Sequence, residues 1–479
     1  VSDVALTEYP VLKYGADPLG KEDSTAAIQS AVSDGLPLVL PPGTYLWSNT
    51  IFATGDLTVF ARGATLKWTG TESVCGFVNT VPINLRWHGG TIDGGGANTA
   101  SLFGFGASGV TPSSSQLLSC DVEDLDFVDL RAGGWTCQYI SSTGEDANEQ
   151  IRWRRVSASK SATAGNGADI FEVVGYDVEC DVTCNAETSG AFGITSAWLK
   201  HARVSCYMCN SDGSPADANA TLLQAFDSNG PAPYFDDIEI AANGNNQLAN
   251  GDLTTPTTVS AGPLRYFLRQ ASSLIIGSSA NDVWDRVEVN GDMLLPLGGS
   301  LQCYQVNNID SSGLHITVDQ STQTQAGAIT ISSDATPGRI HLRDLVVVAP
   351  PSTLSGIIYK GTGSTASALV IDGGDLTGAN LVDNPLFFGS GVIDTVAVSG
   401  VAGYNPLDVA TPAVPAASTS VTNDTGVDVD VYVAGGTAVT VSVNGTSTGL
   451  ASGTFFVPAG GTIELGAYSA APAWVWVGR

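Results

Sequence analysis

A short strand motif, apolar–x–apolar, recurs through the middle of this chain and limits what it can fold into. The first apolar residue of each copy is Leu57, Leu85, Leu125, Val156, Val182, Val204, Ile238, Val287, Leu314, Leu345, Leu369 or Val396, and two residues later stands another apolar or small residue. Such alternation marks a strand with one buried face. Successive copies lie 22 to 40 residues apart, except for the 49 residues between Ile238 and Val287, where a further copy is expected near Leu264–Leu268. Constant strands with variable spacing imply a coil of stacked parallel rungs whose insertions are pushed outward as loops. A sandwich would show hairpin turns between its strands instead.

The residue before each anchor gives a second pattern: Asp124, Arg155, Asp181, Arg203, Asp237, Arg286 and, two rungs on, Asp344. Stacking would set opposite charges over one another on the outer surface. The same register puts Cys184 and Cys206 at one inward position on adjacent rungs, with Cys180 and Cys209 elsewhere around the coil. Buried free thiols are therefore expected for the eight cysteines, ahead of a disulfide among them and of a four-thiolate zinc site, whose ligands would have to converge.

The two ends differ from the middle. Asp23 or Ser24 can cap a helix running through Ile28 to about Ser33, which would close the open end of the coil. After Val398, a Pro- and Ala-rich stretch reads as a linker, and short strands then alternate with turns, among them Asn444-Gly445. The expected organisation is an N-terminal cap of helix plus strand at 1–50, the solenoid at 51–401, a linker at 402–418 and a C-terminal β-sandwich module at 419–479.

Tyr14-Gly-Ala-Asp17 with Asp23-Ser-Thr-Ala-Ala-Ile-Gln29, then Leu40-Pro-Pro-Gly-Thr-Tyr45 and Gly89-Gly-Thr-Ile-Asp-Gly-Gly-Gly96, resembles the N-terminal signature of the pectate-lyase-like superfamily. Asp17-Pro-Leu-Gly-Lys21 departs from the family's usual Gly-Asp-Gly. The resemblance implies an all-β fold, a right-handed parallel β-helix, and places the chain beside phage tailspikes and receptor-binding depolymerases. The ending Ala473-Trp-Val-Trp-Val-Gly478 is similar to C-terminal modules of phage tail proteins. As implied by that likeness, the expected partners are a host surface polysaccharide, two further copies in a homotrimer, and a phage tail baseplate reached through a missing N-terminal part. The expected location is extracellular, on the virion tail.

Composition removes other classes. Acidic residues outnumber basic ones 47 to 19, for a net charge of −28, so nucleic acid would be repelled. No apolar run approaches the ~20 residues that span a bilayer, so membrane insertion is not expected. Neither a nucleotide-binding loop nor a metalloprotease helix is present, and no metal or cofactor is expected.

Glycoside hydrolysis needs one carboxyl to protonate the leaving oxygen and a second to activate water or attack. The best neighbourhood is 165–217, where Asp169 and Glu187 form the leading pair, with Glu172 and Asp212 as alternates. Trp198, Tyr176 and Tyr207, with Phe171 and Phe192 nearby, could stack on sugar rings, and Lys200 and His201 could contact the substrate. A lyase would instead need a base beside a cation, for which Lys160, Lys200, His201 and Arg152 are candidates; a spike that binds without cleaving is the third class. For each carboxylate the competing reading is a solvated turn residue, and Asp93 is expected to close an Asx-type turn.

Overall fold

The computed structural model describes residues 10–71, 76–99, 101–105, 116–137, 148–160, 169–185, 192–196, 198–216, 218–225, 234–250, 257–258, 262–277, 282–296, 298–319, 327–381, 384–404, 409–437 and 439–478. Its architecture is a right-handed parallel β-solenoid followed by antiparallel strands. The chain divides into two compact units, one reaching Leu274 with a return at Asn281–Asp285, the other holding Ile275–Ala280 and Arg286–Arg479. Among the described residues no helix is long and apolar enough to cross a membrane.

In the first unit a helical turn at Pro10–Lys13 and the strand Leu19–Asp23 lead into the expected helix, Thr25–Ser33, which buries Ala27, Ile28, Ala31 and Val32. Asp23 Oδ1 accepts the Thr25 N–H at 2.7 Å, while the Ser24 hydroxyl accepts the Asp17 N–H at 3.0 Å. Asp17 in turn accepts N–H groups from Leu19, Lys21 and Glu22, so the N-terminal motif is a loop wound about one carboxylate. Those donors hold the Asp17 carboxyl below the usual carboxylate range.

Three series of parallel strands then form the coil. One interior column runs in register through Phe77, Phe103, Trp135, Phe171 and Ile194. Phe77 and Phe103 stack at 5.1 Å and Phe103 and Trp135 at 4.9 Å, with Trp153 packed between Trp135 and Phe171 at 5.5 and 5.7 Å. Each buried ring removes roughly 150–250 Å² from water, so this column supplies much of the unit's hydrophobic stabilisation. Phe171, expected near a sugar, belongs to this column and is fully buried. The Gly89-Gly90 step turns a tight corner: Gly90 has φ +100, and a Cβ there would lie 2.8 Å from the Ala61 carbonyl oxygen. Asp93 accepts the Gly95 N–H at 2.7 Å, the expected Asx turn, and pairs with Lys67 at 2.8 Å.

The anchor register holds at some rungs and slips at others. Leu57 faces Leu85, and Val156 faces Val182. Leu85, however, pairs with Cys120, and Phe127 with Ile92, so Leu85 and Leu125 lie on different strand series. Val182 pairs with Cys206, Cys180 with Val204 and Val204 with Ile240, each two residues from the expected match. A two-residue slip preserves which face is buried, and Val182 and Val204 are indeed 1% and 5% exposed. The slip also puts Cys184 against Met208 rather than Cys206. Cys120, Cys180, Cys184, Cys206, Cys209 and Cys303 are free thiols, and burial pushes Cys120 and Cys303 up to about 12. The expected further rung is the strand Leu264–Ile276.

In the second unit, Leu314 faces Leu345 and Leu369 faces Val396 as expected, but Leu369 pairs back to Ile340 and not to Leu345. Its parallel strands end with Val396–Ser399. Two antiparallel sheets follow, one containing Thr419–Thr422, Thr462–Leu465, Val441–Val443 and Thr446–Ser447, the other Gly453–Val457, Val429–Ala434 and Ala473–Gly478. They enclose a core that includes Val431, Val441, Phe455, Ile463, Trp474 and Trp476. Asn444 and Gly445, at φ +49 and +73, make the tight hairpin between two of these strands.

Candidate functional site

In the first unit one corner of the coil is turned on successive rungs by residues in the left-handed region: Asp177 at φ +54, His201 at +51 and Asp237 at +53. They stack because the next residues, Val178, Ala202 and Ile238, pair in register. Asp and His are among the non-glycine residues that adopt this conformation most readily. Two residues past each corner, side chains alternate in charge along the stack, with Arg152 opposite Glu179, Glu179 opposite Arg203 and Arg203 opposite Glu239.

These groups line a groove of about 270 Å³ together with Arg265. Arg152 Nε lies 3.3 Å from Glu179 Oε2 and Arg203 Nε 3.9 Å from Glu239 Oε2. At the corner, His201 Nδ1 lies 3.4 Å from Asp237 Oδ2, and Arg265 reaches Asp237 Oδ1 at 3.4 Å. Arg152 also donates to the Asp177 carbonyl oxygen. The outer charge ladder is therefore real but shifted: Asp124 and Arg155 pair at 2.6 Å as expected, whereas Arg203 meets Glu179 and Glu239 in place of Asp181 and Asp237. Being exposed, each such pair contributes ~0.2–1 kcal/mol at most, so stability does not explain their concentration here.

Beside the groove sits Tyr176, 37% exposed. His201 meets its ring edge-on at 5.5 Å and 86°, and Lys200 Nζ lies 5.5 Å from the ring centroid. Rungs are about 4.8 Å apart, so Glu179 and Glu239 start from backbone positions roughly 10 Å apart, as do Asp177 and Asp237. Inverting glycosidases hold their carboxyls ≈ 6.5–9.5 Å apart with water between them, a spacing these side chains can reach by leaning toward Arg203 or His201.

The structure thus gathers three of the expected residues, Tyr176, Lys200 and His201, with Arg152 from the lyase reading. The others lie elsewhere. Asp169 precedes the strand Phe171–Val173, half-buried, and its Oδ1 accepts the Phe192 N–H at 3.2 Å. Glu172 lies on that strand between Thr136 and Thr195, on a different strand series from the groove. Asp212 is exposed and closes its own turn, accepting the Ser214 N–H at 2.9 Å and hydroxyl at 2.6 Å. Those bonds lower its pKa, the opposite of what a proton donor needs. Trp198 is only 8% exposed, so its ring packs inside and offers no face to a sugar. Tyr207 is half-buried, paired with Thr183 further along its strand. Glu187 lies outside the described residues, as does the side chain of Lys160. Among the described residues no group of three or more His, Cys, Asp or Glu side chains is arranged to hold a metal ion.

Sequence reasoning missed Asp177, Glu179, Arg203, Glu239 and Arg265 as a set. A signal was there: Asp177, His201 and Asp237 each directly precede an apolar–x–apolar pair, but only the true register aligns them.

No protein-family model and no curated protein sequence matches this chain. Solved structures do. A tailspike protein mutant of E. coli bacteriophage HK620, carrying a two-residue deletion, is similar at TM-score 0.52 and 11% identity, covering 98% of this chain and 92% of that one. A point mutant of the HK620 tailspike in complex with a pentasaccharide is similar at TM-score 0.50 and 12% identity, with the same coverage. The likeness is one of fold, extending over nearly the whole of both chains.

Proposed function

We propose that this chain is a tailspike-type protein that binds a host cell-surface polysaccharide and hydrolyses it in the groove running from Arg152 to Arg265. The observation that carries the reading is the groove itself, where carboxylates on alternate rungs flank a cation beside an exposed aromatic ring. Glu179 and Glu239 are the leading pair, one protonating the leaving oxygen and the other activating water, with Arg203 standing between them in the stack. Asp177 and Asp237 are alternates, and Asp169, Glu172, Glu187 and Asp212 stay in the same test panel. Tyr176 would stack on a sugar face. A structural neighbour solved with a pentasaccharide supports a sugar as the ligand of this architecture.

Self-association fits an exposed apolar face on the C-terminal three-stranded sheet, where Tyr432, Phe456 and Val475 are 47%, 45% and 52% exposed. A homotrimer on a virion tail is the assembly proposed. A second reading, β-elimination of a uronate, is favoured by one observation: Arg152 and His201 line the groove, and Lys200 packs with His201 on Tyr176 beside it, a base beside cations.

The test is release of reducing ends from host polysaccharide, with ultraviolet absorbance of the product followed in parallel. Hydrolysis gives new ends without absorbance; elimination gives both. Glu179→Gln and Glu239→Gln should each lower turnover by about 10³-fold, roughly 4 kcal/mol of transition-state stabilisation. Full activity in both variants would move the site to the Asp169–Glu172 face. No cleavage by folded wild type would leave a binding protein.

A further inference from the structure

We infer that the Tyr176–Lys200 corner is a subsite for a sugar bearing a carboxylate, so that the groove recognises an acidic glycan. This rests on the groove being the glycan site and holds whether the bond is hydrolysed or eliminated.

The cations around the groove differ in how they are matched. Arg152, Arg203 and Arg265 each stand within 3.3–3.9 Å of a carboxylate, from Glu179, Glu239 and Asp237 respectively. Lys200 differs: its ammonium lies over the Tyr176 ring, and its register partner on the next rung is Asp236. The Asp236 carboxylate is turned onward, toward Gly262, where a Cβ would lie 2.1 Å from Asp236 Oδ1. Any side chain at 262 would displace that carboxylate, so glycine there keeps it on the far side of the rung.

The result is a half-buried lysine whose ammonium rests against an aromatic face, with no carboxylate paired to it among the described residues. Packing against Tyr176 restrains the long lysine chain before a ligand arrives, which lowers the ordering cost of binding. A pyranose stacked on the face of Tyr176 opposite Lys200 would carry its ring substituents past the phenol edge, within reach of the long lysine chain. A carboxylate at that position gains a charge-assisted hydrogen bond, whereas a hydroxymethyl group gains a weaker neutral one. The surroundings sharpen the choice. On a chain of net charge −28, an anionic glycan needs a local cation to approach at all.

The test prints bacterial surface polysaccharides on an array, each intact and after carbodiimide-coupled borohydride reduction, which turns carboxylates into hydroxymethyl groups. The full chain should bind at least one acidic polymer and lose about tenfold in affinity on its reduction, the scale of one hydrogen bond to a charged group. Lys200→Gln should lower binding of the intact polymer to the reduced level and show no further loss on reduction; Lys200→Arg should restore most of the difference. Binding unaffected by reduction, or an equal loss in Lys200→Gln for intact and reduced polymers, overturns the inference while leaving the glycan groove standing. Tyr176→Ala should weaken both forms. Absence of binding to every polymer by folded wild type overturns the glycan reading, and the subsite with it.

Discussion

The strands Gly175–Asn185 and Trp198–Cys209 carry two faces built on different principles. Inward stand Val178, Cys180, Val182 and Cys184 against Ala202, Val204, Cys206 and Met208, none more than 5% exposed. Outward, across the same backbone hydrogen bonds, stand Glu179 and Arg203, with side chains 61% and 78% exposed. The inner face stabilises by area removed from water, a quantity indifferent to which apolar group meets which. The outer face contributes little to stability, and its value lies in which charge meets which. One strand pair thus separates folding from chemistry by the parity of a residue's number.

That separation can be broken by a pair of substitutions. Trp153→Ala, at an interior position 1% exposed and packed on Trp135 and Phe171, should cost about 3–5 kcal/mol. Arg203→Ala, on the outer face of the same strand series, should cost under ~1 kcal/mol. Urea unfolding followed by tryptophan fluorescence measures both; comparable losses would mean that the outer charges hold the coil together. Turnover should invert the order, falling more in Arg203→Ala than the stability change alone explains.

A smaller effect sharpens the picture at the N-terminal cap. Since Asp17 is held below the ordinary carboxylate value of 3.8 by backbone N–H groups of Leu19 and Lys21, its contribution is complete above that value. It disappears as pH falls through the lower, folded-state value. Wild type should therefore lose stability below about pH 4 more steeply than Asp17→Asn, in which no carboxylate titrates. Parallel acid-unfolding curves for the two proteins would show that the loop does not depend on the charge.

The inner face was legible in the sequence because its signal survives error. Matching Val182 to Val204, two residues out of true register, still leaves both residues buried on one strand series. The cap helix, the Asn444-Gly445 hairpin and the strand at Leu264–Ile276 were legible for the same reason, each resting on local pattern. The outer face does not forgive a slip. Two residues of displacement exchange Asp181 for Glu179 as the partner of Arg203, and Asp237 for Glu239. The aromatic column through Phe77, Phe103 and Trp135 escaped notice because its strands are only two or three residues long, too short to show alternation. Tyr176, Lys200 and His201 were legible by residue type, an aromatic and two basic groups in one stretch of chain, although only the true register brings Tyr176 opposite Lys200.

The most direct test of the groove is a crystal structure of the Glu239→Gln variant soaked with oligosaccharide from the host polysaccharide. The expected result is a sugar ring stacked on Tyr176 and a glycosidic oxygen between Glu179 and position 239, over Arg203. Sugar seated instead against Asp169 and Glu172, with the Arg152–Arg265 groove empty, would contradict it.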